Sequence, residues 1–367
     1  MEVETPVKDR ILVEKREELK ALLAAGHYKT LGRLIADKVG SFIRTISRNP
    51  QPLPFWYTIS VIFLCIQIIG YGIVILVDGY YLPPEIVYFE IAISALSLIF
   101  IITLEIYIGY MFRIFRQYLL DGMVSIADLN DLQRRTTAVF LLSNQFAVAV
   151  FYTLLISLWA WGIAIAVFNV FSAGLIFIGI VRNFFGGIYF YFFIRGIPLL
   201  LQLRKYKYKT YAADPSSSEV VDILSDMLSV GVYIVAIFAT LLTAIAAFIR
   251  PAIPASGLVI LLLLGWVPTI AFFVTNQFVL SGIIIKAKRK TLNEIQAQVE
   301  ELHSKEPILN AETLGHIDKI MDYHDRIKST RNSALDLRST LNFLNSLLLP
   351  VIAFILANLQ QIIDFFF

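Results

Sequence analysis

The chain has 367 residues, of which 57% are apolar and 16% are charged, and its formal net charge is +3. Soluble domains usually carry about 45–50% apolar and about 25% charged residues. The apolar excess is too large for one buried core and arrives in runs long enough to cross a bilayer, which excludes a soluble enzyme, a secreted disulfide scaffold and a disordered chain.

Residues 1–54 are polar and charged and lack the apolar core of a secretory signal. Two helices are predicted there. The first, 9–24, carries Ile11, Leu12, Leu19, Leu22 and Leu23. The second, 31–46, places Leu31, Leu34, Ile35, Val39, Phe42, Ile43 and Ile46 at spacings of three and four, with Arg33, Lys38, Arg44 and Arg48 on its polar side. Such a helix either lies on an anionic inner leaflet or packs on the cytoplasmic ends of the spans, and the sequence leaves both open.

Seven spans follow, at about 55–77, 86–112, 138–168, 174–203, 220–249, 257–285 and 341–363. The expected architecture is an all-α polytopic membrane protein. A six-helix transmembrane domain covers 55–285, a cytoplasmic helical hairpin 286–340, and a C-terminal transmembrane helix 341–367. The hairpin combines a basic start and an apolar seam (Leu292, Ile295, Val299, Leu302) with a second helix, 312–329, beyond Pro307. Of 31 Lys and Arg residues, 28 lie in the segments 1–54, 113–137, 203–219 and 286–340, and the alternate loops are almost free of them. That alternation puts the N-terminus in the cytoplasm. The lone Cys65 lies in the first span, so no intrachain disulfide can form. Aromatic residues at Phe55, Trp56, Tyr57, Tyr80 and Tyr81, and Tyr189, Tyr191, Tyr206, Tyr208 and Tyr211 at the inner side, read as interface anchors.

Motifs for catalysis are missing: no phosphate-cradling Gly loop, no His-Glu-x-x-His, no Gly-x-Ser-x-Gly. His316 and His324 are two helical turns apart, too far to share a zinc ion, so neither a metal nor another cofactor is expected. Nucleic acid is not an expected partner. The informative groups are polar residues at bilayer depth, because a charge there costs a few kcal/mol unless it is paired or wet. They are Glu105 in the second span, Arg182, Asn183 and Arg195 in the fourth, and Asn276 and Gln277 in the sixth. Asn144 and Gln145 sit near the cytoplasmic end of the third. Arg195 and Glu105 have opposite signs at similar depth, which reads either as a polar pathway or ligand pocket between the second and fourth spans or as a structural ion pair with Arg195 snorkelling to the inner headgroups. Arg182 has no evident acidic partner, which leaves a wet cavity, an anionic ligand or outward snorkelling.

The last span is two-sided. At about 100° per residue, Asn342, Ser346, Pro350, Ala353, Ala357, Gln360 and Gln361 share one side. Leu344, Leu347, Leu348, Val351, Phe354, Ile355, Leu359 and Ile362 share the other, although Leu349, Leu356 and Asn358 blur the division. A stripe of small and amide side chains either packs on another helix or faces water in a pore. In several copies around an axis, Asn342, Ser346, Pro350, Ala353, Ala357 and Gln361 would line a pathway. The expected function is an oligomeric channel or channel-like transporter, and the alternative is a non-catalytic scaffold or signalling subunit. In span count and orientation the chain resembles the seven-helix odorant and gustatory receptor channels, which also have an inner N-terminus and a C-terminal pore helix. The likeness is topological and carries no residue roles with it.

Overall fold

The computed structural model describes residues 5–24, 28–48, 51–79, 82, 84–168, 172–249, 255–305 and 311–330. These residues form an all-α protein with helices α1 (Thr5–Ala24), α2 (Leu31–Ser47), α3 (Phe55–Ile73), α4 (Pro84–Ile114), α5 (Ile126–Val139), α6 (Leu142–Phe168), α7 (Ala173–Leu203), α8 (Glu219–Ile249), α9 (Ala255–Lys305) and α10 (Ala311–Ser329). Six of them contain stretches long and apolar enough to cross a membrane: α3, α4, α6, α7, α8 and α9. The predicted seventh span, with Asn342, Ser346, Pro350, Ala353, Ala357 and Gln361, lies outside the described residues.

Helix ends follow local chemistry. Pro54 sits at the N-cap of α3, where a missing N–H costs nothing. A wide π-turn, Val74–Asp78, ends that helix, and Gly79 closes it at φ 68°, a conformation glycine adopts without strain. Asp78 then caps a different helix. Ser172 Oγ donates to it at 2.6 Å, and the Ala173 and Gly174 N–H groups donate at 3.2 and 3.4 Å. The start of α7 is thereby fixed to the end of α3. Just below, a Cβ on Gly174 would stand 2.2 Å from the Gly70 carbonyl oxygen. Only glycine lets the two backbones cross this closely, as small residues do in membrane bundles.

At the opposite end, α4 continues through a π-turn at Phe115–Leu119 to Gly122. Short antiparallel pairing then joins the 122–124 segment to the 207–209 loop, with Val124 N–H donating to Lys207 O at 3.1 Å and Lys209 N–H to Gly122 O at 2.7 Å. Lys20 of α1 meets Asp121 at 2.8 Å, and Arg16 donates to the Met123 carbonyl. Asp131 of α5 accepts from Arg134, Arg135 and the Tyr206 hydroxyl. Burial alone would raise the Asp131 carboxyl, but those three donors outweigh it and hold it below the ordinary aspartate range.

Two expected elements are revised. The third span is expected at 138–168, but the helix stops at Val139 and restarts at Leu142. Phe140, at the break, packs its ring on Tyr28, Phe112 and Phe192. The sixth span and the basic helix behind it are one helix of 51 residues, Ala255–Lys305, roughly 75 Å long. Its Lys288 is buried and donates to the carbonyls of Lys328 and Thr330, which seats the end of α10 against α9.

Candidate functional site

Polar side chains inside the six-helix bundle gather in two clusters, both organised by a carboxylate of α4. In the first, Glu90 is paired with Arg182 of α7. Ser94, one turn along α4, lies 3.5 Å from both Glu90 Oε1 and Arg182 Nη1. Gln67 of α3 donates from Nε2 to Ser94 Oγ at 2.7 Å. Three helices are thus linked by one neutralised pair. Glu90 is 9% exposed, so the pair is shielded from water and its charges act on each other.

The second cluster surrounds Glu105, which is 8% exposed. Thr30 Oγ1 donates to Glu105 Oε2 at 2.9 Å, and Tyr189 OH of α7 donates to the same oxygen at 3.0 Å. Arg33 Nη1 stands 3.8 Å from the other oxygen, near the edge of ion-pair range. Thr30 is also the N-cap of α2: its hydroxyl oxygen accepts the Arg33 N–H at 2.9 Å. The Leu31 N–H donates to Gln145 Oε1 of α6 at 2.7 Å. The first turn of an α-helix presents unpaired N–H groups and the positive end of the helix dipole. Here that end is docked onto a carboxylate and an amide supplied by two spans. Gly32 allows the approach, since a Cβ there would lie 2.9 Å from Tyr189 Oη.

These placements correct two expectations. The sequence offers Arg182 no evident acidic partner; in the fold, Glu90 is that partner. Glu90 follows Pro84 by six residues and Arg182 follows Ala173 by nine, so both lie within a few turns of the starts of their helices, and the fold brings them together. The expected pairing of Arg195 with Glu105 does not form. Arg195 is exposed instead, and Glu105 is satisfied by Thr30, Tyr189 and Arg33. The exposure of Arg195 fits a side chain that extends toward a headgroup region.

The other candidates are not drawn into either cluster. Asn183 donates to Ser157 Oγ at 3.1 Å and joins α7 to α6. Asn276 is buried at 2% exposure, and its Oδ1 has no protein partner among the described residues. Gln277 is half-buried. Thr30, Gln67, Glu90 and Ser94 do not stand out in the sequence, and Tyr189 and Tyr191, expected as interface anchors, are buried instead, Tyr189 against Glu105. Among the described residues, no three His, Cys, Asp or Glu side chains are grouped to hold a metal ion. The chemistry available in both clusters is hydrogen bonding and charge neutralisation.

No protein-family model, curated protein or solved structure matches the chain.

Proposed function

We propose that this protein is a multi-pass membrane channel or channel-like transporter that works as a homo-oligomer. The N-terminus is cytoplasmic, α9 and α10 form a hairpin in the cytoplasm, and 341–363 crosses the bilayer as a seventh helix. The observation that carries the reading is the two-sided pattern of that last stretch, with Asn342, Ser346, Pro350, Ala353, Ala357 and Gln361 along one flank. The bundle supports it indirectly. Arg182, Glu105 and Asn183, which could have marked a route between spans, each have an internal partner. With no open charge left by these three, the proposed route runs along the last stretch, where copies would meet around an axis. The segregation of 28 of 31 basic residues supports the orientation. No catalytic step belongs to this reading.

Cysteine substitution at Asn342, Ser346, Ala353 and Ala357, in a Cys65→Ser background, tests it. Water-soluble thiol reagents are expected to label these positions faster than Leu348→Cys or Ile355→Cys. Equal rates would remove the conduit. The internal pairing also favours a second reading, a non-conducting scaffold or signalling subunit whose polar groups only hold helices together. Particle size in nanodiscs separates the two: a closed ring is expected for the channel and a single copy for the scaffold.

A further inference from the structure

Helix α2 meets two spans at the same depth. Its first residue, Leu31, bonds to Gln145, the fourth residue of α6. Gly40, more than two turns later, packs on Thr58, the fourth residue of α3, where a Cβ would lie 3.1 Å from Thr58 Oγ1. A helix that touches the first turn of one span at each end of this stretch lies across the bundle, level with the span starts. It does not stand away from them.

The sequence of α2 gives it three faces in that position. Gly32, Ala36 and Gly40 form a small face and are buried against the spans. About a quarter-turn away, Phe42 and Ile46 project with 66% and 68% of their surfaces exposed. On α3, Trp56 and Leu64 are likewise exposed, at 56% and 60%. Opposite the strip lie Arg33, Asp37, Ser41, Arg44 and Arg48, with Lys38 at the outer edge. Asp37 is taken up by Lys29 at 2.8 Å and by Arg33 at 3.9 Å. Lys38, Arg44 and Arg48 have no carboxylate within ion-pair reach among the described residues.

We infer that α2 lies in the cytoplasmic membrane interface, inserts Phe42 and Ile46 among the acyl chains, and binds anionic phospholipid headgroups with Lys38, Arg44 and Arg48. The occupant is a leaflet, because Phe42 and Ile46 are exposed level with the first turns of two helices long and apolar enough to span a bilayer, and the helix carries positive charge that meets no carboxylate among the described residues. An in-plane helix with an apolar strip and a basic flank is the form that anionic leaflets retain. The docking of Thr30 onto Glu105 sets the depth. The choice of the anionic leaflet rests on the cytoplasmic orientation proposed above; the in-plane position does not.

The test uses the full chain in nanodiscs, with single spin-labelled cysteines at Phe42, Ile46 and Ser41 in the Cys65→Ser background. Phe42→Cys and Ile46→Cys are expected to collide with oxygen dissolved in the acyl region, and Ser41→Cys with a water-soluble nickel chelate. Spin-labelled phosphatidylserine is expected to be immobilised at least about threefold in preference to phosphatidylcholine, and the preference is expected to fall to near parity in K38Q/R44Q/R48Q. That variant leaves the packed glycines and Thr30 untouched, so folding is retained. Aqueous accessibility at Phe42 and Ile46 equal to that at Ser41 would overturn the in-plane position and mean that a second copy or a soluble partner covers the strip. An unchanged lipid preference in the triple variant would overturn the headgroup contacts. A Met1 tag on the outer side, with Phe42 and Ile46 still in lipid, would overturn the orientation and with it the anionic leaflet, while the in-plane helix would stand.

Discussion

Glu90 and Glu105 lie on one helix, roughly 22 Å apart along its axis, and both are buried, yet their surroundings differ in kind. Glu90 is met by a full positive charge from another span, with Ser94 and Gln67 completing the set. Glu105 is met mainly by neutral hydroxyls and by the end of a helix that comes from outside the spans. A buried ion pair is all or nothing, because removing one partner strands the other in a low-dielectric site. A hydrogen-bonded carboxylate is graded, because each donor can be lost separately and an amide can still accept. The Glu90 cluster therefore holds spans to one another, while the Glu105 cluster ties α2 to them.

This contrast can be broken by substitution. The largest effect is expected from Arg182→Ala, which leaves Glu90 alone: a loss of about 3–5 kcal/mol, read as a lower thermal midpoint and poor recovery of monodisperse protein. The double variant E90Q/R182Q should recover most of that loss. Arg195→Ala, on an exposed side chain, should cost no more than about 1 kcal/mol; a cost equal to that of Arg182→Ala would erase the distinction between the two arginines.

Glu105→Leu is expected to cost about 1–3 kcal/mol, since the Thr30 and Tyr189 hydroxyls lose their acceptor. Its signature is local: amide hydrogen exchange should quicken at 31–36 and stay unchanged in α3. Glu105→Gln keeps an acceptor and should do less, whereas E90Q alone strands Arg182 and should do more. If E105Q proved the worse of the two, the contrast between charge and hydrogen bonding would be reversed. Thr30→Ala removes the cap of α2 and one donor to Glu105, with an expected cost of about 1 kcal/mol; Thr30→Ser should restore it.

The smallest effect concerns the end of the bundle that holds α5. Burial works to raise the Asp131 carboxyl, yet Arg135, Tyr206 and Arg134 together hold it below its ordinary range in the folded protein. Its stabilisation is complete above the unfolded aspartate value, about 3.9, and is lost as pH falls through the lower folded value. Proteolysis within 120–139 should accelerate on acidification below about pH 4, and Asp131→Asn should flatten that response.

The six described spans were legible because an apolar run of bilayer length is too long for an ordinary core helix and needs lipid to cover it. Their ends were legible where a breaker stands, as at Pro54, Gly79 and Pro84. The break at Phe140 was not, because no Gly or Pro marks it and ring packing with Tyr28, Phe112 and Phe192 accompanies it. The unbroken α9 is the opposite case. Charge begins at Lys286, but a helix that leaves lipid does not thereby end, and no Gly or Pro stands between Gly282 and Lys305. For the clusters, polarity at depth was legible and partnership was not. Thr30 is the N-cap of α2, but its partner Glu105 is 75 residues away, and nothing local announces it. Glu90 lies near the start of its span, where a polar residue reads as an interface group, so its pairing with Arg182 emerges only in three dimensions. The stripe from Asn342 to Gln361 is legible through its helical periodicity alone.

The number of crossings decides whether that stripe can be a conduit. Tags at Met1 and Phe367, probed with protease in sealed and opened vesicles, measure it directly. Protection of the two tags on opposite sides is the predicted result. Both tags on the same side would mean an even number of crossings and would contradict a transmembrane pathway along 341–363.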